Sequence, residues 1–299
     1  MKTEIVKNLP RGRLIFLGLS LLTIIVAEVG LTLYIPLWRE QFYNILELKD
    51  VSAFTGSLIA FTVMMIGLGG VQGIKVWVGQ KISFVIRAVQ TAVMYDRWVT
   101  TSKTTPHYTQ AMTEAVRNST ELYLEILTEI LISAAIVVGL IVTNLHNPII
   151  VAAALVYTAV ASVVMTLFNR PMIGRDADWQ KAEGEFRENL VKIAGGQDDG
   201  THELKWKGIV RTYATYVTVL MNFTLFTRIK GALSSLLPYI LLSSAFFSGA
   251  ITLGVFMAGV ATFELIVINA TIVMVLYPKL TKARASRQLS NEFYKELGE

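Results

Sequence analysis

Three carboxylates, Glu121, Glu125 and Glu129, recur at intervals of four residues, so on a helix they stack along one face. At the rise of an α-helix the stack covers about 12 Å of axis. Glu114 and Gln110 continue the same stripe. The residues around the upper acids, from about Tyr123 to Val142, are apolar and long enough to cross a bilayer, which puts Glu125 and Glu129 at membrane depth. An ionisable group there costs about 2.5–3.5 kcal/mol on insertion scales and is expected to face a cavity or a partner. Burial and like-charged neighbours both favour the protonated form of a carboxyl group. A stack of this kind is therefore suited to carrying protons near neutral pH, and Glu121, Glu125 and Glu129 are read as proton-coupling candidates. The plainer reading is that Arg117 pairs with Glu114 and Glu121, and that the remaining acids only hydrate a water-filled cavity.

Other residues invite similar readings. Glu28 and Glu264 also lie in apolar runs. Glu28 is expected at an outer gate or proton entry, and Glu264 in contact with substrate or protons. Alternatively, each pairs with a basic residue of a neighbouring helix, such as Arg228 or Lys230. Pro238 removes a backbone donor from an apolar run and is expected to kink it, either as a gate or as one of the prolines common in membrane spans without such a role. Asn269 either lines the cavity or bonds across helices. Glu183 and Arg187 have the spacing of an exposed helical ion pair worth about 0.3–0.5 kcal/mol. Gly69 and Gly73 form a GxxxG, whose ordinary meaning is close helix packing. The three histidines show no metal-ligand spacing, no GxxxxGK[ST] phosphate loop is present, and no cofactor is expected.

The elements that must hold these residues follow from composition. Of 299 residues, 53% are hydrophobic and 16% charged, and the mean hydropathy is +0.53. That excludes disordered, collagen-like and disulfide-scaffold chains, and there is no Cys to provide a thiolate. It points to an all-α membrane protein of one transmembrane domain over residues 1–299. Six spans are expected, at about 14–38, 51–78, 123–142, 148–168, 232–247 and 252–276. The first is read as a span rather than a cleaved signal, because its apolar run is too long. With the N-terminus inside, the outer segments are Arg39–Asp50, Thr143–Asn147 and Ser248–Ile251, and of the 27 Lys and Arg only Arg39 and Lys49 fall there. This asymmetry predicts cytoplasmic N- and C-termini. Trp38, Phe42 and Tyr43 fall where an outer aromatic belt is expected. Helical cytoplasmic extensions are expected at about 80–122, 176–230 and 277–297, with a break at Gly195–Gly200. Long inner helices with short outer loops suggest, by analogy, an ABC exporter-like transmembrane fold without a nucleotide-binding domain.

Several stretches resemble the SbmA/BacA-like family of bacterial peptide importers and its relatives, the membrane domains of bacterial and peroxisomal ABC transporters. They are Ala27-Glu28-Val29-Gly30 with Trp38 and Gln41-Phe42-Tyr43-Asn44, then Ile86-Arg87 with Arg97-Trp98, and Gln110 with Glu114. Gln180, Glu183, Phe186, Arg187 and Leu190-Val191 match QxxExxFRxxLV, and Pro238-Tyr239-Ile240 with Gly249–Gly254 and Met257 resemble P-x-I and G-x-ITLG-x-M. The resemblance spans residues 20–290. It implies a homodimer around a deep cavity in the inner membrane, importing peptides or peptide-like antibiotics on the proton gradient. It also implies gating, cavity or proton-exit roles for Glu114, Glu183, Arg187, Pro238 and Tyr239. The expected partners are a second copy, a peptide and the bilayer, with no nucleic acid, and the chain is not expected to be an enzyme. Two rivals remain: a membrane subunit whose ATPase is a separate chain, and a non-transporting immunity or sensor protein.

Overall fold

A backbone in hydrocarbon must satisfy its hydrogen bonds within its own segment, and long apolar runs with few breakers do so as helices. The computed structural model describes residues 11–101, 116–145, 147–195, 200 and 202–296. Among these there is no strand, and the helices are α1 Arg11–Glu47, α2 Val51–Thr101, α3 Val116–Thr143, α4 Pro148–Ala194, α5 His202–Phe247, α6 Leu253–Ala270 and α7 Ile272–Glu296. Six stretches are long and apolar enough to cross a membrane, the sixth running from α6 into α7 through Thr271. The 51 residues of α2 measure about 76 Å, far more than a bilayer requires. Both α1 and α4 continue through a proline, Pro36 and Pro171.

Three short connections make helical hairpins. Lys49, at φ 57°, turns the chain between α1 and α2. Asp50 then caps α2, its Oδ1 accepting from the Ser52 hydroxyl at 2.6 Å and from the Ser52 and Ala53 amides. Because α1 runs to Glu47, most of the segment expected as an outer connection from Arg39 is helical. Of the break expected at Gly195–Gly200, Gly195 follows the end of α4 and Gly200 precedes α5, while residues 196–199 lie outside the described residues.

The most enclosed span is the one begun by α6, which packs against α1, α3, α4 and α5. Its Val260, Phe263 and Ile266 are fully buried against Ile136 and Leu140 of α3 and Ile150 and Ala154 of α4. Burying these side chains gains little transfer energy inside a bilayer, where lipid is as apolar as protein. Close van der Waals contact does the work instead, and the small residues Gly254, Ala258, Gly259 and Ala261 permit it. Elsewhere α3 joins α2 on one side and α7 on the other.

Two local expectations change. Trp38 does not face lipid: it is buried between α1 and α2, stacked on Phe61 and Phe42, and its Nε1 donates to the Ser57 carbonyl at 3.1 Å. The Ser57 carbonyl supplies the hydrogen-bond partner that a buried indole N–H requires. A Cβ added at Gly69 or Gly73 would meet nothing within 4 Å beyond its own helix turn, so this GxxxG does not pack closely against another described helix.

Candidate functional site: a three-helix charge cluster

The acidic stripe on α3 meets a cation from α2. Lys75 Nζ lies 2.9 Å from Glu129 Oε1, and 3.0 and 2.9 Å from the two oxygens of Glu28 on α1. Gln72, one turn before Lys75 on α2, donates to Glu28 Oε1 at 3.3 Å. The apolar sequence around each residue builds the helix, and the helices bury the charges: the Glu28 side chain is 7% exposed, that of Lys75 13% and that of Glu129 31%. Both Glu28 oxygens thus lie within ion-pair distance of the one ammonium group.

A cavity of about 270 Å³ opens beside the cluster. Lys75, Gln80 and Ser83 of α2 line one wall, and Glu121, Glu125, Thr128 and Glu129 of α3 the other. Ile132, Ile136 and Leu140, three, seven and eleven residues beyond Glu129, continue the same face of α3 and are buried, so the packing that turns this face inward also turns the acids toward the cavity. Glu125 pairs with Lys279 of α7, both about half exposed. The like-charge stack expected on α3 is therefore relieved by cations from two different helices. Glu121 makes no ion pair among the described residues but lines the same cavity.

Glu264 of α6 pairs with Arg39 of α1 at 3.7 Å. Neither Glu28 nor Glu264 pairs with Arg228 or Lys230, which lie on α5. Lys230 instead points its Nζ to Met165 Sδ at 3.7 Å, while its carbonyl accepts from Tyr157 Oη at 2.6 Å. Asn269 neither bonds across helices nor lines the cavity described: its Nδ2 donates to Leu265 O, four residues back on its own helix. Pro238 is fully buried inside α5, which continues to Phe247. Tyr239 packs edge-on against Phe256 of α6, away from the charge cluster. Glu183 and Arg187 are on α4, far along the chain from the cluster, and the Arg187 side chain lies outside the description. Glu114 and Gln110 lie outside the described residues.

Lys75, Gln72 and Lys279 are not among the residues expected from the sequence. For Lys75 a signal existed. It sits inside the expected second span, and a lysine at that depth requires a counter-ion as much as Glu28 does.

At the other end of α1, two of the motif stretches meet. Asn44 Oδ1 accepts from the Gly254 amide and Glu47 Oε2 from the Leu253 amide, both at 3.0 Å, while Thr252 caps its own helix through Val255. The first free amides of α6 are thus served by α1, and the Glu47 carboxylate sits at the positive end of the helix. A Cβ at position 254 would collide with the Glu40 carbonyl and the Asn44 side chain, so glycine is required there.

Residues 10–195 match the family model for ABC transporter transmembrane region 2, and residues 113–282 match that for the SbmA/BacA-like family. No curated protein matches the chain.

Proposed function

Since the chain belongs to the SbmA/BacA-like family and is a multi-pass membrane transporter, we propose that it imports peptides or peptide-like antibiotics across the bacterial inner membrane, driven by protons, as a homodimer. The observation that carries proton coupling is the cluster of Glu28, Lys75 and Glu129 beside an acid-lined cavity. Two carboxylates share one ammonium group at membrane depth. In a low dielectric the leftover negative charge is costly, and adding one proton removes it. A site with this balance binds protons differently in states of different exposure, which is what coupling to alternating access requires. In this reading Glu125 and Glu121 relay protons along the cavity, and the long helices extend into the cytoplasm in an exporter-like arrangement. Glu264, Glu183, Arg187, Pro238, Tyr239 and Glu114 are proposed to serve gating or substrate contact outside this cluster.

A second reading is favoured by the match to ABC transporter transmembrane region 2: a membrane subunit energised by an ATPase on another chain. One experiment separates the two. The chain is expressed in a Gram-negative strain lacking its own peptide importer, which is then challenged with antimicrobial peptides that need one. Restored killing that an uncoupler abolishes, and that Glu125→Gln with Glu129→Gln removes at equal membrane levels, supports proton-driven import. Killing that survives the uncoupler supports the ATP-driven reading. No restoration by a correctly inserted chain removes peptide import.

A further inference from the structure

The charge cluster joins three helices through a single side chain. Lys75 of α2 is at equal distance from a carboxylate of α1 and a carboxylate of α3. The two acids differ in surroundings. Glu129 lines the cavity and is a third exposed, whereas Glu28 is nine-tenths buried and does not line it. The charged and titratable groups around Lys75 are Glu28 on α1 and Glu129 on α3, with Glu125 and Glu121 further along the α3 face. Lys279 of α7 engages Glu125, not Glu129.

We propose that Lys75 is a positioning residue that converts proton uptake at Glu129 into release of α3 from α1 and α2. The proposal rests on the proton-coupling reading above and names the device within that site. A proton entering through the cavity meets Glu129 before Glu28. Once neutral, Glu129 no longer holds the ammonium group by charge, and in a low dielectric that charge attraction is the main tie. Lys75 then commits to Glu28. Glu28 is placed to keep it, because both of its oxygens already lie within 3.0 Å of Nζ and its side chain is buried. The remaining pair is neutral, so no unbalanced charge stays in the membrane interior. Meanwhile α3 keeps its link to α7 through Glu125 and Lys279. Loss of the proton reverses the exchange and ties α3 back.

The test uses the absence of cysteine in the chain. Leu19→Cys on α1 and Leu131→Cys on α3 are exposed positions for a spin-label pair. The full chain is reconstituted in lipid nanodiscs and diluted with unlabelled protein, and the label distance is followed from neutral to acid pH. The distance is expected to lengthen on acidification. Glu129→Gln should give the long distance at every pH. Glu28→Gln should retain the transition, because Glu129 still lines the cavity and still holds the lysine. Lys75→Gln should abolish the pH response and Lys75→Arg should keep it. The proposal is overturned if Lys75→Gln responds like the parent chain, or if Glu28→Gln and Glu129→Gln act alike. Should Lys75→Gln fail to insert, the contrast between the two Glu variants decides alone, since both retain the lysine. Peptide uptake with and without a proton gradient is measured in parallel. Gradient-dependent uptake with an unaltered Lys75→Gln response would remove this device and leave proton coupling. Gradient-independent uptake with the expected distance responses would do the reverse.

Discussion

Single residues at the hairpin ends have roles that local chemistry explains. Gly254 is set by contact: a methyl group there meets the Glu40 carbonyl and the Asn44 side chain. Gly254→Ala is expected to destabilise the folded protein by about 1–3 kcal/mol, an overpacking cost, and Asn44→Ala by about 1 kcal/mol, the loss of a cap. Thermal unfolding in a fixed detergent checks both, and equal melting of parent and Gly254→Ala would refute the contact. Asp50 offers a pH test. The Ser52 hydroxyl, then the Ala53 amide, favour its carboxylate and hold it below the ordinary Asp range. A lowered value in the folded state means the cap is complete above the ordinary Asp value and is lost as pH falls through the lowered one. Amide exchange in the first turn of α2 should therefore match that of Asp50→Ala in strong acid and be slower above it. The motif residues Asn44 and Gly254 are conspicuous in the sequence, but nothing in the sequence says that they touch.

At the scale of elements, α3 is the helix on which the site depends. Its apolar period orients the acids, and the spacing of Glu121, Glu125 and Glu129 on one face was readable because helical geometry is local. Their partners were not readable, because Lys75 and Lys279 come from segments 54 and 154 residues away. Like-charge stacking looks unrelieved along one helix and is relieved only across helices. Lys279→Gln gives a clean test of the link between α3 and α7. The pair is about half exposed, so its loss should cost less than about 1 kcal/mol of stability. A large drop in peptide uptake at unchanged melting temperature would then mark the pair as functional, and unchanged uptake would mark it as a surface contact. The same locality explains Asn269, whose nearest acceptor is the carbonyl one turn back on its own helix.

At the scale of the whole molecule, orientation is the claim most open to direct test. With no native cysteine, Leu48→Cys in the first hairpin should react with a membrane-impermeant maleimide added outside intact inner-membrane spheroplasts, and Arg284→Cys on α7 only after permeabilisation. The opposite pattern would invert the topology drawn from Lys and Arg. The sequence by itself determined that the chain is helical, that six segments can cross a membrane, and that acids lie within them. Those properties depend on composition and on periods of a few residues, and hydrocarbon leaves a backbone few alternatives. It also carried the family resemblance. Only the tertiary structure decided that Trp38 is buried between helices, that Asn44 and Glu47 cap α6, and that Glu28 and Glu129 share Lys75. The physical reason is that each long helix offers many polar groups to several neighbours, and the choice among them is made by packing. An isolated charge at membrane depth demands a partner, but which helix supplies it depends on which backbones come close, and at this cluster Leu17, Leu21, Val78 and Leu124 pack α1, α2 and α3 together.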